Sequence, residues 1–379
     1  MAITNKWLLI ILVLLPVYLV RFNLFGIPLN LLDLLVTGGF IYYIIHYGFK
    51  VQKIFLYSSV SLLLIGLISV IMSDNTLAAL GIYKSYIVIP IMVGVMIQVS
   101  KPKFIFILQA LGSSVLFVST ITIIQFLTGY GVPAPWNIGG IDVRMTSIFE
   151  YPNAVGLFCA PIVALGVAWL IHERSHKLWF MLVSLMGMIA IGLSQSDGAV
   201  ITVILAGSFA LLFTKYRYGV IGVGLILVMI SLIIPVTREK ILLQDTSGQV
   251  RLALWQGTVN LLEHRPLFGA GLANFPDVYA QYKLDQHVEL LLYPHNLFLD
   301  FWVELGLLGM VWLIIVLIVF FLQAKQSQQT KYSIILLTGM VAFIVYGLVD
   351  VPYFKNDLAI IFWTMLALNF SYHKKQINS

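Results

Sequence analysis

The 379-residue chain is 60% hydrophobic and only 10% charged, with a mean hydropathy of +0.98. Soluble domains carry about a quarter charged residues, so this composition excludes a soluble protein and predicts an integral membrane one. The net charge of +6 does not call for nucleic acid, because the excess of Lys and Arg in membrane proteins collects in cytoplasmic loops. The single cysteine, Cys159, lies in an apolar run and can build neither an internal disulfide nor a zinc site.

The N-terminus carries Lys6 and a short apolar run with no small-x-small cleavage site, which reads as a first membrane helix rather than a signal peptide. A span needs roughly 17–25 mostly apolar residues. That rule predicts spans near 7–20, 24–46, 54–72, 78–98, 104–127, 153–171, 178–194, 198–214, 218–236, 297–322, 332–349 and 358–371, about twelve in all. The expected architecture is all-α, one multi-span membrane domain covering 1–379. No internal repeat at a fixed period and no low-complexity tract interrupts it.

The basic residues orient the bundle. With the N-terminus inside, the inner loops and tails hold Lys6, Lys50, Lys53, Lys101, Lys103, Arg174, Lys177, Lys215, Arg217, Lys325, Lys331, Lys374 and Lys375, 13 of the 22. Arg238, Lys240, Arg251, Arg265 and Lys283 fall in one long outer loop, and long loops count little in this rule. Both termini are therefore expected in the cytoplasm. Two outer loops, 128–152 and 237–296, are longer than connection requires, and loops beyond about 15 residues are often functional.

In the larger loop, Leu252, Trp255, Val259 and Leu262 repeat at helical spacing and predict an amphipathic helix, with Ser247 as its cap and Pro266 after its last turn. Arg251 stands four residues before Trp255. Two readings are open for it: a planar fork of donors that clamps an anion, or an arginine snorkelling to the headgroups. Gly269-Ala270-Gly271 follows no strand, so it reads as a turn that packs the loop on the bundle and not as a nucleotide site.

His295 and Asn296 then open an apolar helix whose N-terminus points outward, where free N–H groups favour anions. Asn296 is a suitable N-cap. Asn296, Asp300 and Glu304 recur at every fourth position, a polar stripe about 12 Å long. Ionisable groups inside a span face the bundle interior or a wet cavity. Helix packing is the alternative role for the two carboxylates, and an interfacial position is the alternative for His295. Arg144, Lys84 and Asp33 are further outer-face groups, while Asp197 and Asp350 read by default as turn residues. Basic groups and a histidine gathered over an apolar bundle suit a ligand with a diphosphate head and a lipid tail. The outer loops hold no carboxylate pair or histidine cluster at metal-binding spacing, so no metal and no cofactor are expected.

The segment RLALWQGTVNLLEHRPLFGAGLANF at 251–275, followed by PHNLFLDFWVELGLLGMV at 294–311, resembles the C-terminal pattern of the O-antigen ligase and O-antigen polymerase superfamily. SIFEYPNAVG and VDVPYFKND extend the likeness over about 140–365. The resemblance implies a GT-C-type membrane glycosyltransferase with a long extracytoplasmic loop, in the cytoplasmic (inner) membrane of a bacterium. It implies transfer of a glycan from a polyprenyl-diphosphate-linked oligosaccharide to a sugar hydroxyl on the outer face, without metal; a direct single displacement at the anomeric carbon would then invert its configuration. His295 matches the family's histidine near the reacting hydroxyl, and Arg251 matches one of its diphosphate-binding arginines.

One position departs from the pattern. Many members carry an arginine in a Ser-Arg-Gly turn where this chain has Ser196-Asp197-Gly198. Either Arg144, Lys84 or Arg265 supplies the missing charge, or Asp197 serves the acceptor, with Asn296, Asp300, Glu304 and Trp255 in support. Polymerisation of surface-polysaccharide repeat units is the first reading, with a flippase and a chain-length regulator as partners. A ligase that attaches finished glycan to a lipid or protein acceptor is the second. A lipid-linked sugar flippase or secondary transporter is the alternative from another class, and it should show paired charges or broken helices at mid-membrane in both halves.

Overall fold

The computed structural model describes residues 4–24, 27–137, 143–284, 291–326 and 330–372. Lys374 and Lys375, and the parts of the two long loops at 138–142 and 285–290, lie outside the described residues. The first half contains α1 (Thr4–Val13), α2 (Leu31–Tyr47), α3 (Lys53–Met72), α4 (Thr76–Tyr83), α5 (Ile89–Ser100) and α6 (Phe104–Thr128). Next come α7 (Pro152–His172), α8 (Lys177–Leu193), α9 (Asp197–Leu211), α10 (Arg217–Ile233) and α11 (Pro235–Ile241). The chain then forms α12 (Thr246–His264), α13 (Phe275–Tyr279), α14 (Leu297–Gln326), α15 (Thr330–Gly347) and α16 (Asn356–Tyr372).

Helix dominates because a bilayer supplies no water to backbone groups, and each helix satisfies its own. Among the described residues six segments are long and apolar enough to cross a membrane, Lys53–Met72, Thr76–Ser100, Phe104–Thr128, Pro152–His172, Leu297–Gln326 and Thr330–Gly347, or seven if the bent pair Arg217–Ile233 and Thr237–His264 is one span. α2, α8 and α9 are shorter apolar helices. All nine fall on stretches that the hydropathy marks as spans. α7 runs through the middle, packed by α6, α8, α9 and α15, and nearly all its residues are buried. α5 and α16 form a second tightly packed pair. α10 has no buried residue and shows apolar side chains along its whole length, as a lipid-facing helix does.

The predicted span at 24–46 begins late. Arg21–Leu24 pairs antiparallel with Ile27–Asn30 as a short β-hairpin (β1 and β2) before α2 starts. Pro28 lacks the N–H that a helix interior needs, and Asn30 caps α2 by accepting from the Asp33 amide at 2.8 Å.

The amphipathic face predicted for the loop helix is also corrected. α12 buries Leu254, Gly257, Thr258, Leu261 and Leu262, while Leu252 and Val259 are exposed. Leu254, Leu261 and Leu262 pack with Phe275, Val278 and Tyr279 of α13 and with Val303 of α14 in a small core of their own. Apolar residues occupy both sides of this helix, so of the predicted stripe Leu262 packs in that core and Trp255 is half-buried, while spacing missed Leu254 and Leu261. The cap is Asp245, whose side chain accepts from the Gly248 amide, and not Ser247.

The glycine-rich turn does pack the loop onto the bundle. α14 breaks at Gly306, where φ is 71°. The Leu307 amide, freed by that break, donates to Leu267 at 3.0 Å, and the Ala270 amide donates to Val303 at 2.8 Å. A Cβ at Gly306 or at Gly269 would run into the facing backbone, so backbone meets backbone only because both residues are glycine.

Candidate active site

α12 acts as a clamp. Its Trp255 donates through Nε1 to the Pro294 carbonyl at 2.9 Å, which braces the segment just before His295. One turn earlier, Arg251 donates through Nε to the Val349 carbonyl at 3.1 Å and through Nη1 to Ser247 Oγ at 3.0 Å. Residues four apart share a helix face, so one face of α12 holds both the His295 segment and the turn after α15.

That turn carries Asp350. His295 Nδ1 donates to Asp350 Oδ1 at 3.1 Å, and the Val351 amide donates to the same oxygen at 2.8 Å. Asp350 is 1% exposed. It sits in a turn, as expected, and the same carboxylate oxygen also accepts from the imidazole. No local signal reveals this, because the two residues are 55 positions apart. His295 itself sits at φ 48°, the left-handed region that a non-glycine residue adopts only under constraint. Asn296 caps α14 as expected, accepting from the Phe298 and Leu299 amides, and donates to the Leu348 carbonyl.

Arg144 is docked on the turn before α9. It donates to the carbonyls of Ser194 and Gln195 and to Asn153 Oδ1, and its guanidinium lies over the Trp136 ring. Burial lowers its pKa, and Asp197 and Tyr346 oppose that shift. Arg144 and Arg251 both act electrostatically on Tyr346, whose hydroxyl is hydrogen-bonded to Ser196 Oγ at 2.7 Å.

The other candidate cations are placed differently. Arg265 is exposed at the far end of α12, about 21 Å along the helix from Arg251. Lys84, at a π-helical turn between α4 and α5, is paired with Asp33 of α2 at 2.6 Å. Asp197 begins α9, is exposed, and is paired with Lys240 of α11, whose pKa it raises.

Asp300 and Glu304 line a cavity of about 360 Å³, together with Tyr293, the neighbour of His295. Glu304 Oε2 accepts from the Ala273 amide at 2.9 Å. Asp300 is 1% exposed, and neither of its carboxylate oxygens has a hydrogen-bond partner. Arg21, Glu150 and Lys355 also line the cavity, with Tyr86, Tyr151 and Tyr293 among its aromatic walls. Lys355 Nζ lies 4.0 Å from the Tyr151 ring centre. Burial pushes the Lys355 ammonium down to about 8, against the opposing pull of Asp357 and Glu150. Sequence reasoning passed over Lys355, Arg21 and Glu150; only the fold carries β1, the start of α7 and the 351–355 turn to one place.

Tyr293 joins the two halves of the site. Its ring centre is 4.5 Å from that of His295, and its hydroxyl donates to Tyr151 at 3.4 Å. Burial, then Asp350 and Asp300, raise its pKa well above the ordinary value.

No curated protein matches the chain. Residues 180–314 match the family model described as O-antigen ligase. The matched stretch contains Asp197, Arg251, Trp255, His295, Asp300 and Glu304; Arg144, Asp350 and Lys355 lie outside it. This match at 180–314 supports the resemblance to the O-antigen ligase and O-antigen polymerase superfamily.

Proposed function

We propose that the protein polymerises surface-polysaccharide repeat units, moving glycan from a polyprenyl-diphosphate-linked donor to a sugar hydroxyl on the extracytoplasmic face of a bacterial inner membrane. Both termini are cytoplasmic in this reading. The protein is one multi-span domain of the GT-C type, whose extracytoplasmic loop at 237–296 carries α12 against the site. The observation that carries it is the imidazole of His295 held by Asp350, with His295 and Arg251 both inside the stretch that matches the O-antigen ligase family model.

The chemistry follows from that arrangement. With Nδ1–H held by Asp350, the tautomer leaves Nε2 as a proton acceptor. The acceptor oxygen attacks the anomeric carbon, its proton passes to His295 Nε2, and the bond to the diphosphate breaks. The electron pair leaves on the diphosphate, where Arg251 and Arg144 stabilise the developing charge. Single displacement inverts the anomeric centre, and no step calls on a metal.

Arg144 supplies the charge that the Asp197 turn lacks, because its guanidinium is docked on the carbonyls of that same turn. Asp197 instead holds Lys240 at the rim. Trp255 and Asn296 position the His295 segment, and Asp300 and Glu304 serve the acceptor.

The test is product formation by purified protein in detergent, given a lipid-diphosphate-linked repeat unit and EDTA. Wild type builds a glycan ladder, and His295→Ala and Arg251→Ala lose it while remaining folded. Variants that still build the ladder overturn the site. A wild type that never extends its donor indicates a ligase, or a transporter of the lipid-linked sugar.

A further inference from the structure

The reading above leaves the contents of the cavity beside Tyr293 unspecified. Asp300 lines it, fully buried, with both carboxylate oxygens unpartnered. Buried polar groups are normally hydrogen-bonded, and an unpaired one is costly. Something with several donors therefore belongs against Asp300. Its neighbour Glu304 uses Oε2 on the Ala273 amide and adds a second carboxylate to the same wall.

The charges around the cavity select the ligand. Lys355 and Arg21 face it, but so do Glu150, Asp300 and Glu304. Cations and carboxyl groups interleaved in this way suit a ligand that both donates and accepts hydrogen bonds better than one that only accepts. The remaining walls are aromatic, with Tyr86, Tyr151, Tyr293 and Phe354 among them. A pyranose ring has hydroxyls at its edge and C–H bonds on its face, and it meets both kinds of wall. The volume of about 360 Å³ is of small-ligand size.

Position gives the ligand its role. Tyr293 borders the cavity and packs its ring on His295. Arg251 is bonded to the Val349 carbonyl, next to the Asp350 that holds the imidazole Nδ1. Resting on the transferase reading, we infer that this cavity is the acceptor subsite and that it takes the terminal sugar of the acceptor glycan. Asp300 and Glu304 accept from its hydroxyls, Lys355 donates to its oxygens, and the attacking hydroxyl is presented past Tyr293 to His295. Donor diphosphate and acceptor sugar then occupy separate compartments with the base between them.

Binding to the purified full chain in detergent separates the two compartments. The probes are undecaprenyl diphosphate and the lipid-free repeat-unit oligosaccharide released from the producing cell's polysaccharide. Two variants test the subsite: Asp300→Asn, nearly isosteric, and Leu292→Trp, which fills the cavity from an exposed loop position. Both should weaken oligosaccharide binding about tenfold, the loss expected when a hydrogen bond or two is lost or the space is filled. Both should leave undecaprenyl diphosphate binding unchanged, and Arg251→Ala should do the reverse. Oligosaccharide affinity unchanged in both variants, with diphosphate binding still dependent on Arg251, overturns the subsite and leaves the transferase reading standing. A wild type that binds neither probe overturns both.

Discussion

His295 and Asp350 are joined by a 3.1 Å hydrogen bond from the imidazole Nδ1 to a buried carboxylate oxygen that also accepts from the Val351 amide. That bond sets the ring's tautomer and aim. Asp350→Asn keeps the shape of the contact but can turn an amide N–H toward the ring and favour the wrong tautomer. The expected result is a fall in kcat of about a hundredfold or more, within the range for a general base, at little change in donor KM. Steady-state kinetics on the purified variant checks it. A drop confined to KM would make Asp350 a binding residue only.

Arg251 and Arg144 should behave alike, and Arg265 should not. Loss of a charge-assisted hydrogen bond costs about 1.5–3 kcal/mol. Arg251→Ala and Arg144→Ala should each weaken undecaprenyl diphosphate binding roughly ten- to a hundredfold. Arg265→Ala, exposed at the far end of α12, should leave it as in wild type. A strong effect at Arg265 would mean that α12 lies differently on the bundle.

Lys355 predicts a slope of stability with pH. Burial holds its folded-state pKa at about 8, below the ordinary lysine value of about 10.4. Between those two values the folded protein binds fewer protons than the unfolded chain, so stability rises with pH there. The cost of the buried ammonium is complete below about pH 8 and is relieved toward pH 10. Lys355→Met lacks this term. Thermal unfolding of both proteins from pH 7 to 10 should show wild type gaining on the variant as pH rises, and parallel curves would contradict the burial.

Gly306 and Gly222 make opposite predictions. Gly306→Ala places a side chain at φ 71°, ψ −177°, a region essentially restricted to glycine, and against the Leu267 carbonyl. The strain alone amounts to about 1–3 kcal/mol, so Tm should fall. Gly222, within α10, faces open space. There Gly222→Ala should hold or raise Tm, since alanine favours helix by up to about 1 kcal/mol. Equal shifts for the two variants would mean that the backbone contact between α14 and the glycine-rich turn does not form in solution.

Much of this protein is determined by local sequence. Composition alone requires membrane helices, because unpaired backbone groups are untenable in hydrocarbon. Asn296 as a cap, the glycine-rich segment as a packing turn, and the pairing of Arg251 with Trp255 on one face all follow from short spacings, and the helix geometry realises them. What only the tertiary structure decided are the long-range encounters. Asp350 meets His295 because α15 ends beside the start of α14. Arg144 reaches the turn before α9 across 50 residues, and Lys355, Glu150 and Arg21 converge on the cavity of Asp300 from three separate elements. The same distance explains the partly misread face of α12, where apolar residues line both sides and the choice belongs to α13 and Val303. Helix periodicity specifies which residues share a face; packing alone specifies which face finds a partner.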